Sequence, residues 1–329
     1  MTRVAIPLTL GGAAAAPAAG AQVESLGGLT MGTSWSARLV RPAFVPLAAV
    51  RDLIQQSLDG VVSEMSHWEP ESQLSRFNKA VPGEWRDLPP GFFDVLCCAL
   101  EVAEASDGAY DPTIGTLVDL WGFGPAPARQ DAPSPHEIAA AMRSGGWQRL
   151  EIDRKARRAR QPGGCRLDFS AIAKGHGVDR AADALKRLGL RHFLIEIGGE
   201  LRGEGVKPDG SPWWVALERP SNATCEEILV ALHGLSVATS GDYRRYFEAD
   251  GRRYAHSIDP RTGWPLDNKA ASVSVIHQSC MKADVHATAI TIAGPDQGMA
   301  YAERLGLAAL IVLTTGEERI SPALAAMLD

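Results

Sequence analysis

The chain has 329 residues and a formal net charge of −6, long enough for a sizeable core as one large domain or two lobes. Nothing in that charge suggests non-specific nucleic-acid binding, and no apolar run is long enough to span a bilayer. Five cysteines (Cys97, Cys98, Cys165, Cys225 and Cys280) without C-x-x-C spacing argue against a disulfide framework or a zinc site and read as packing residues.

Arg3 and an alanine-rich apolar run ending at Ala19-Gly20-Ala21 read as a secretory signal peptide. The positive region is a single arginine, however, and Pro7, Gly11 and Gly12 interrupt the run, so a non-cleaved arm fits as well. Residues 1–24 are therefore set apart from a body of residues 25–329. The compartment stays open: periplasmic if residues 1–21 are a signal, otherwise cytoplasmic. No cysteine follows that could carry a lipid anchor.

Ser25 to Val40 reads as a first strand region, with Trp35, Ala37 and Leu39 alternating after Thr30-Met31-Gly32-Thr33. Pro46 opens a helix with Leu47, Val50, Leu53, Ile54, Val61 and Met65 on one face. It ends at Ser66-His67-Trp68-Glu69-Pro70, and residues 71–78 continue as a polar loop containing Ser72, Arg76 and Phe77. Pro89-Pro90 precede a helix with Phe93, Leu96, Leu100 and Ala103, which runs into the turn cluster Asp107-Gly108-Ala109-Tyr110-Asp111-Pro112-Thr113. Residues 117–123 (LVDLWGF) are strongly apolar. A capping box, Ser134-Pro135-His136-Glu137, starts a helix to Arg143, and residues 148–161 read as two short strands joined across Arg154-Lys155.

Residues 167–205, LDFSAIAKGHGVDRAADALKRLGLRHFLIEIGGELRGEG, read as strand, helix, strand. Val178, Ala181, Ala182, Leu185 and Leu188 recur at the spacing of one buried helical face, and Gly189 can stop the helix. Phe193, Ile195 and Ile197 alternate into Gly198-Gly199, a pair that suggests close approach by a ligand or, more commonly, a neighbouring segment. Unpartnered N–H groups at the helix start, together with Lys174, suit an anion such as a phosphate. Asp168 suits a cation or a sugar or base donor. The order of residues is neither that of a P-loop nor that of a dinucleotide fingerprint.

Further on, Trp213 to Glu218 reads as a strand, and Ser240-Gly241-Asp242 as a tight turn whose hydroxyl and amides could hold a phosphate. Asp250-Gly251, between residues 243–247 and 253–258, is a hairpin signal. His256 stands at the strand end, a candidate catalytic or ligand histidine. Val273 to Ile276 reads as a strand, residues 281–292 and 295–305 as helices, and Ala308 to Leu313 as a strand. Asp284 and Thr288, one turn apart, offer hard oxygen ligands that suit Mg²⁺, and a backbone carbonyl after Asp168 could complete the set. Long helices interleaved with short hairpin-linked strands predict an α+β fold rather than a doubly wound parallel sheet.

Together, MGTSWSA (31–37), MSHWEPESQLSRFN (65–78), SDGAYDPTIGTLVDLWGFG (106–124), LDFSAIAKGHGVD (167–179), IEIGGELRGEG (195–205), VATSGDYRRYFEADGRRYAHSIDPRTGWP (237–265) and CMKADVHATA (280–289) resemble one family, the FAD:protein FMN transferases or ApbE family. The resemblance implies mixed, mostly antiparallel sheets flanked by helices in two closely packed lobes. It implies Mg²⁺-dependent transfer of FMN from FAD to a Ser or Thr hydroxyl of a target flavoprotein, forming a phosphoester and releasing AMP. It places Met31, Trp68, Ala109, Tyr110, Asp111, Asp168, Lys174 and Ile258 around FAD, and Asp284, Thr288 and the Ala171 carbonyl on magnesium. His256 matches the histidine of the H-x-I-D-P motif; it or Asp284 would take the proton of the acceptor hydroxyl. Trp68 and Tyr110 are candidates to stack on the isoalloxazine or adenine ring. Trp68 stands where many relatives carry tyrosine, and the lipobox cysteine of anchored relatives is missing. FAD pyrophosphatase and non-catalytic flavin carrier are the alternative activities.

Overall fold

Eight strands form the central sheet of the computed structural model, which describes residues 2–8, 16–17, 20–127, 129, 131–221, 223–224, 226–241, 246–249 and 252–328. Their spatial order is Glu318–Ile320, Ala308–Leu313, Ala270–His277, Leu235–Gly241, Glu200–Glu204, His192–Ile197, Thr33–Val40 and Glu24–Thr30, every neighbouring pair antiparallel. Ala308–Leu313 is apolar throughout because both its faces are covered. Ala309, Ile311 and Leu313 meet the helical layer, whereas Ala308, Leu310 and Val312 meet a three-stranded sheet of Thr2–Ala5, Glu227–Leu232 and Trp213–Ala216. Thr2–Ala5 runs parallel to Glu227–Val230, with Ala5 fully buried and Arg3 paired to Glu318 at 2.5 Å. Of the apolar run that suggests a signal peptide, residues 9–15, 18 and 19 lie outside the described residues, as do Cys225, Asp242 and the hairpin tip Asp250-Gly251. The strands on either side of that tip, Tyr246–Ala249 and Arg252–Ala255, pair as the sequence predicts.

Three helices, Leu47–Met65, Ala173–Arg187 and Cys280–Arg304, cover the inner face of the sheet. Val50, Ile54 and Leu58 interlock with Val178, Ala181 and Leu185 over Trp35, Phe193 and Ile195. Leu188 does not join them: the helix ends at Arg187, the chain turns at Gly189 (φ 89°), and Leu190 takes the core position while Leu188 is 41% exposed. Residues 71–78 are not a loop either. Ser72 Oγ accepts from the Ser75 amide and starts the helix Gln73–Asn78, which buries Leu74 and Phe77. Leu167–Phe169 forms no strand; the side chain of Asn78 clamps it, accepting from the Leu167 amide (2.7 Å) and donating to the Leu167 carbonyl (2.9 Å). The expected first strand region is a hairpin turning at Met31 (φ 49°) and Gly32 (φ 72°).

The helices predicted over 281–292 and 295–305 are present as two helices that meet at a kink within Cys280–Arg304. Gly294 leaves the helical region (φ 80°, ψ 174°) and Pro295 brings no N–H, so the Thr291 carbonyl loses its normal donor. The Asn268 amide replaces it at 2.8 Å. A smaller apolar cluster completes the molecule: Leu117, Trp121, Phe123, Ile138, Tyr254 and Ile258, with the Trp121 indole N–H donating to the Gly263 carbonyl. The architecture is α+β. Cys97, Cys98, Cys165 and Cys280 are free thiols, and among the described residues no helix is long and apolar enough to cross a membrane.

Candidate active site

A cavity of about 310 Å³ opens between the starts of two inner helices and the smaller cluster. Ile114, Val118, Phe123 and Ile258 give it an apolar wall, while Asp168, Lys174, Glu200, His256, Asp284 and Thr288 give it a polar one. Asp168 and Asp284, 116 positions apart, therefore share one cleft. Tyr110, Asp111, Ala171, Gly198, Thr239 and Ser240 also line it. Of the residues expected around FAD, Met31, Trp68 and Ala109 do not line the cavity. Ala109 is fully buried, Met31 packs between two core clusters, and Trp68 is 53% exposed with its ring tilted against His67. His67 in turn faces Asp168 Oδ2 at 3.5 Å, which sets Trp68 beside the Asp168 end.

Close packing sets the position of Asp284. Gly175, in the first turn of Ala173–Arg187, has no room for a β-carbon, which would fall 2.4 Å from the Cys280 carbonyl oxygen and 2.8 Å from Asp284 Cβ. At this contact the Gly175 amide donates to Asp284 Oδ2 at 2.9 Å. The helix start that the sequence offers to a phosphate thus gives one of its amides to a carboxylate of the chain itself. Four residues on, Asp179 caps the other helix: its carboxylate accepts from Ser279 Oγ and the Cys280 and Met281 amides, and from Arg202. Two contacts on one helix therefore fix the register of the next, and with it Asp284 and Thr288.

Asp111 organises the turn below the cavity, accepting from the Thr113 amide and hydroxyl and from the Trp147 amide. Burial nonetheless pushes its carboxyl above the usual range, against the pull of those bonds. Asp168 accepts from the Ser170 amide at 2.7 Å. The Tyr110 hydroxyl is buried without a hydrogen-bond partner among the described residues, and burial raises it, with Asp168 adding to the effect. His256 stands edge-on to Phe123, ring centres 6.4 Å apart.

Glu200 is the group that the sequence reading misses. Only 2% exposed, it accepts a short hydrogen bond from Lys174, while its Oε2 is buried without a partner among the described residues. Burial pushes the Glu200 carboxyl up to about 8 and raises Asp284 as well. Lys174 loses from burial but gains more from Asp284 and Glu200, and is raised. Both carboxyls are raised because burial disfavours their charged forms, and a cation beside them would favour those forms again. Among the described residues no three His, Cys, Asp or Glu side chains converge as a metal cluster. The donors present, the Asp284 carboxylate, the Thr288 hydroxyl and the Ala171 carbonyl, are hard oxygens. Mg²⁺ takes such a sparse set and completes it with water or substrate phosphate, so these residues fit it and do not fit zinc.

The ApbE family model matches residues 31–311. The chain is 37% identical over 300 residues to the FAD:protein FMN transferase of Vibrio cholerae, covering 90% of this chain and 89% of the relative. It is 34% identical over 302 residues to that of Haemophilus influenzae, covering 89% and 87%. Among solved structures, the apo flavinyl transferase ApbE of Pseudomonas stutzeri superposes with a TM-score of 0.85 at 38% identity, covering 93% of this chain and 97% of that one. The flavin transferase ApbE of Vibrio cholerae gives 0.86 at 35%, covering 93% and 99%. Sequence and fold agree, and the chain belongs to the ApbE family.

Proposed function

We propose that this chain transfers the FMN half of FAD to a protein, with a Ser or Thr hydroxyl as acceptor and Mg²⁺ as the metal. The observation that carries the reading is the convergence of Asp168, Lys174, His256, Asp284 and Thr288 on one cavity from separate segments of a chain whose relatives are FAD:protein FMN transferases. Transfer makes a bond from the acceptor oxygen to the FMN phosphorus and breaks that phosphorus from the bridging oxygen, so AMP leaves and the hydroxyl proton must be taken up. We assign that proton to His256 rather than to Asp284. Asp284 already accepts from Gly175 and belongs to the oxygen set that fits Mg²⁺. Lys174 supplies positive charge to the diphosphate, and Asp168 and Tyr110 offer polar contacts for the rest of FAD. The apolar wall of Ile114, Val118, Phe123 and Ile258 excludes water from that side. Magnesium, when bound by Asp284, Thr288 and Ala171, supplies Lewis-acid neutralisation of phosphate oxygens.

The test is incubation with FAD and Mg²⁺, with and without a peptide carrying an acceptor threonine, followed by assay of AMP and peptide mass. AMP formed together with flavinylated peptide supports transfer. AMP without acceptor means FAD pyrophosphatase, and no AMP means a flavin carrier. Asp284→Ala is expected to abolish magnesium-dependent turnover; unchanged turnover removes the metal assignment.

A further inference from the structure

We propose that Glu200 is a positioning residue that holds the Lys174 ammonium at the phosphate end of the cavity, an inference that rests on the functional reading above. The two side chains differ in freedom. Glu200 is the first residue after the turn Gly198-Gly199, pairs with Ile197 across the hairpin, and is 2% exposed. That turn is itself held close: a β-carbon on Gly198 would fall 2.9 Å from Thr33 Cγ2, and its φ of 59° disfavours a side chain. The carboxylate is thus carried on fixed backbone. Lys174 hangs on a four-carbon stem with many rotamers, and its side chain keeps 31% exposure toward the cavity. Among the described residues Glu200 is its hydrogen-bond partner, and Asp284 acts on it through charge.

The unpartnered Glu200 Oε2 marks this carboxylate as a group kept for a purpose other than stability. A buried carboxylate with an unsatisfied oxygen is a poor stabiliser, and an amide or an alkyl group would fill the space at less desolvation cost. What this carboxyl provides is a fixed acceptor that leaves the rest of the ammonium free to meet an anion. An ammonium has three donors; one points to Glu200, so two remain for phosphate oxygens.

A double-mutant cycle tests this. Glu200→Ala, Lys174→Ala and the double variant are compared with wild type for kcat/KM toward FAD, read as AMP release with acceptor at saturating magnesium, alongside unfolding midpoints. Glu200→Ala is expected to lower kcat/KM about tenfold or more in wild type, yet by no more than about twofold when Lys174 is already alanine. Glu200→Gln, which keeps shape and one acceptor oxygen, is expected to recover part of the loss and covers the case in which the alanine variant folds poorly. Equal losses in both backgrounds, or no loss in wild type, overturn the proposal. The same cycle is read on FAD affinity by flavin fluorescence without acceptor. A wild type that binds FAD but releases no AMP sinks the transferase reading alone, and the binding cycle then decides for or against Glu200 by the same criterion.

Discussion

Gly175→Ala is the sharpest perturbation this fold offers. In a generic helix interior the change is favourable by up to about 1 kcal/mol. Here the new methyl group would lie 2.4 Å from the Cys280 carbonyl oxygen, 2.7 Å from its carbon and 2.8 Å from Asp284 Cβ, two of them backbone atoms that cannot swing aside. The two helices must part, at about 1–3 kcal/mol for overpacking. The Gly175 amide bond to Asp284 lengthens or breaks, losing about 1.5–3 kcal/mol for a hydrogen bond to a charged group. Set against the helix-propensity gain, the net loss is about 2–5 kcal/mol. Gly177→Ala, two residues on, is the internal control. Its β-carbon meets the Met31 methyl at 2.9 Å, the far end of a flexible side chain, so the variant is expected to stay within about 1 kcal/mol of wild type. Urea unfolding of both variants gives the stabilities, and magnesium titration of turnover reports the displaced Asp284. A Gly175→Ala protein as stable as Gly177→Ala, with an unchanged magnesium requirement, refutes the idea that this contact sets the site.

Three other outcomes are expected. Asp179→Ala removes the acceptor for Ser279, Cys280, Met281 and Arg202, and should lose about 2–4 kcal/mol in urea unfolding and raise the magnesium concentration needed for half-maximal turnover. His256→Ala should slow AMP release by about 10²–10⁴-fold while flavin fluorescence still reports FAD binding, if its task is proton removal. The third concerns pH. Glu200 keeps its proton up to about 8 in the fold, against 4.5 when unfolded, so the folded protein binds more protons in that interval and this group's stabilising contribution falls as pH rises through it. Buried His176 and His286, pushed down to about 4, act in the opposite sense below their ordinary 6.5. Between about pH 6.5 and 8, then, metal-free wild type should melt progressively lower, and Glu200→Gln should flatten that slope; parallel melting curves for the two proteins count against it.

The sequence carried the periodic elements well and the junctions poorly. Val178, Ala181, Ala182 and Leu185 lie on one buried face because helical spacing dictates it, whereas Leu188 falls after the helix end, where that spacing no longer applies. Residues 71–78 look polar enough for a loop, but Leu74 and Phe77 share a face and Ser72 caps them, a short pattern easily hidden among polar neighbours. Asp168, Lys174, Asp284 and Thr288 were legible as chemistry-bearing residues, yet their meeting depends on glycine contacts such as Gly175 on Cys280, which leave no periodic trace. Glu200 escapes notice in the sequence because Gly198-Gly199 reads as a close approach, whereas the pair is the two-residue turn of a hairpin between alternating apolar strands that folds Glu200 back toward Lys174. The Asp179 cap joins residues 100 positions apart, and only tertiary structure discloses it.

The break at Gly294-Pro295 divides labour between the two helices it joins. Upstream of Gly294 the arm is pinned at Asp179 and Gly175 and carries Asp284 and Thr288; downstream, residues 295–304 pack Tyr301 and Ala302 into the core without reaching the cavity. The Asn268 amide seals the interruption from another segment, so the upstream arm ends on a satisfied carbonyl. The joint therefore folds the terminal arm back onto the ligand-bearing one: Tyr301 Oη meets His286 Nδ1 at 2.7 Å, between Asp284 and Thr288, so a helix grafted after Gly294 would have to rebuild that contact to leave the oxygen ligands where they are.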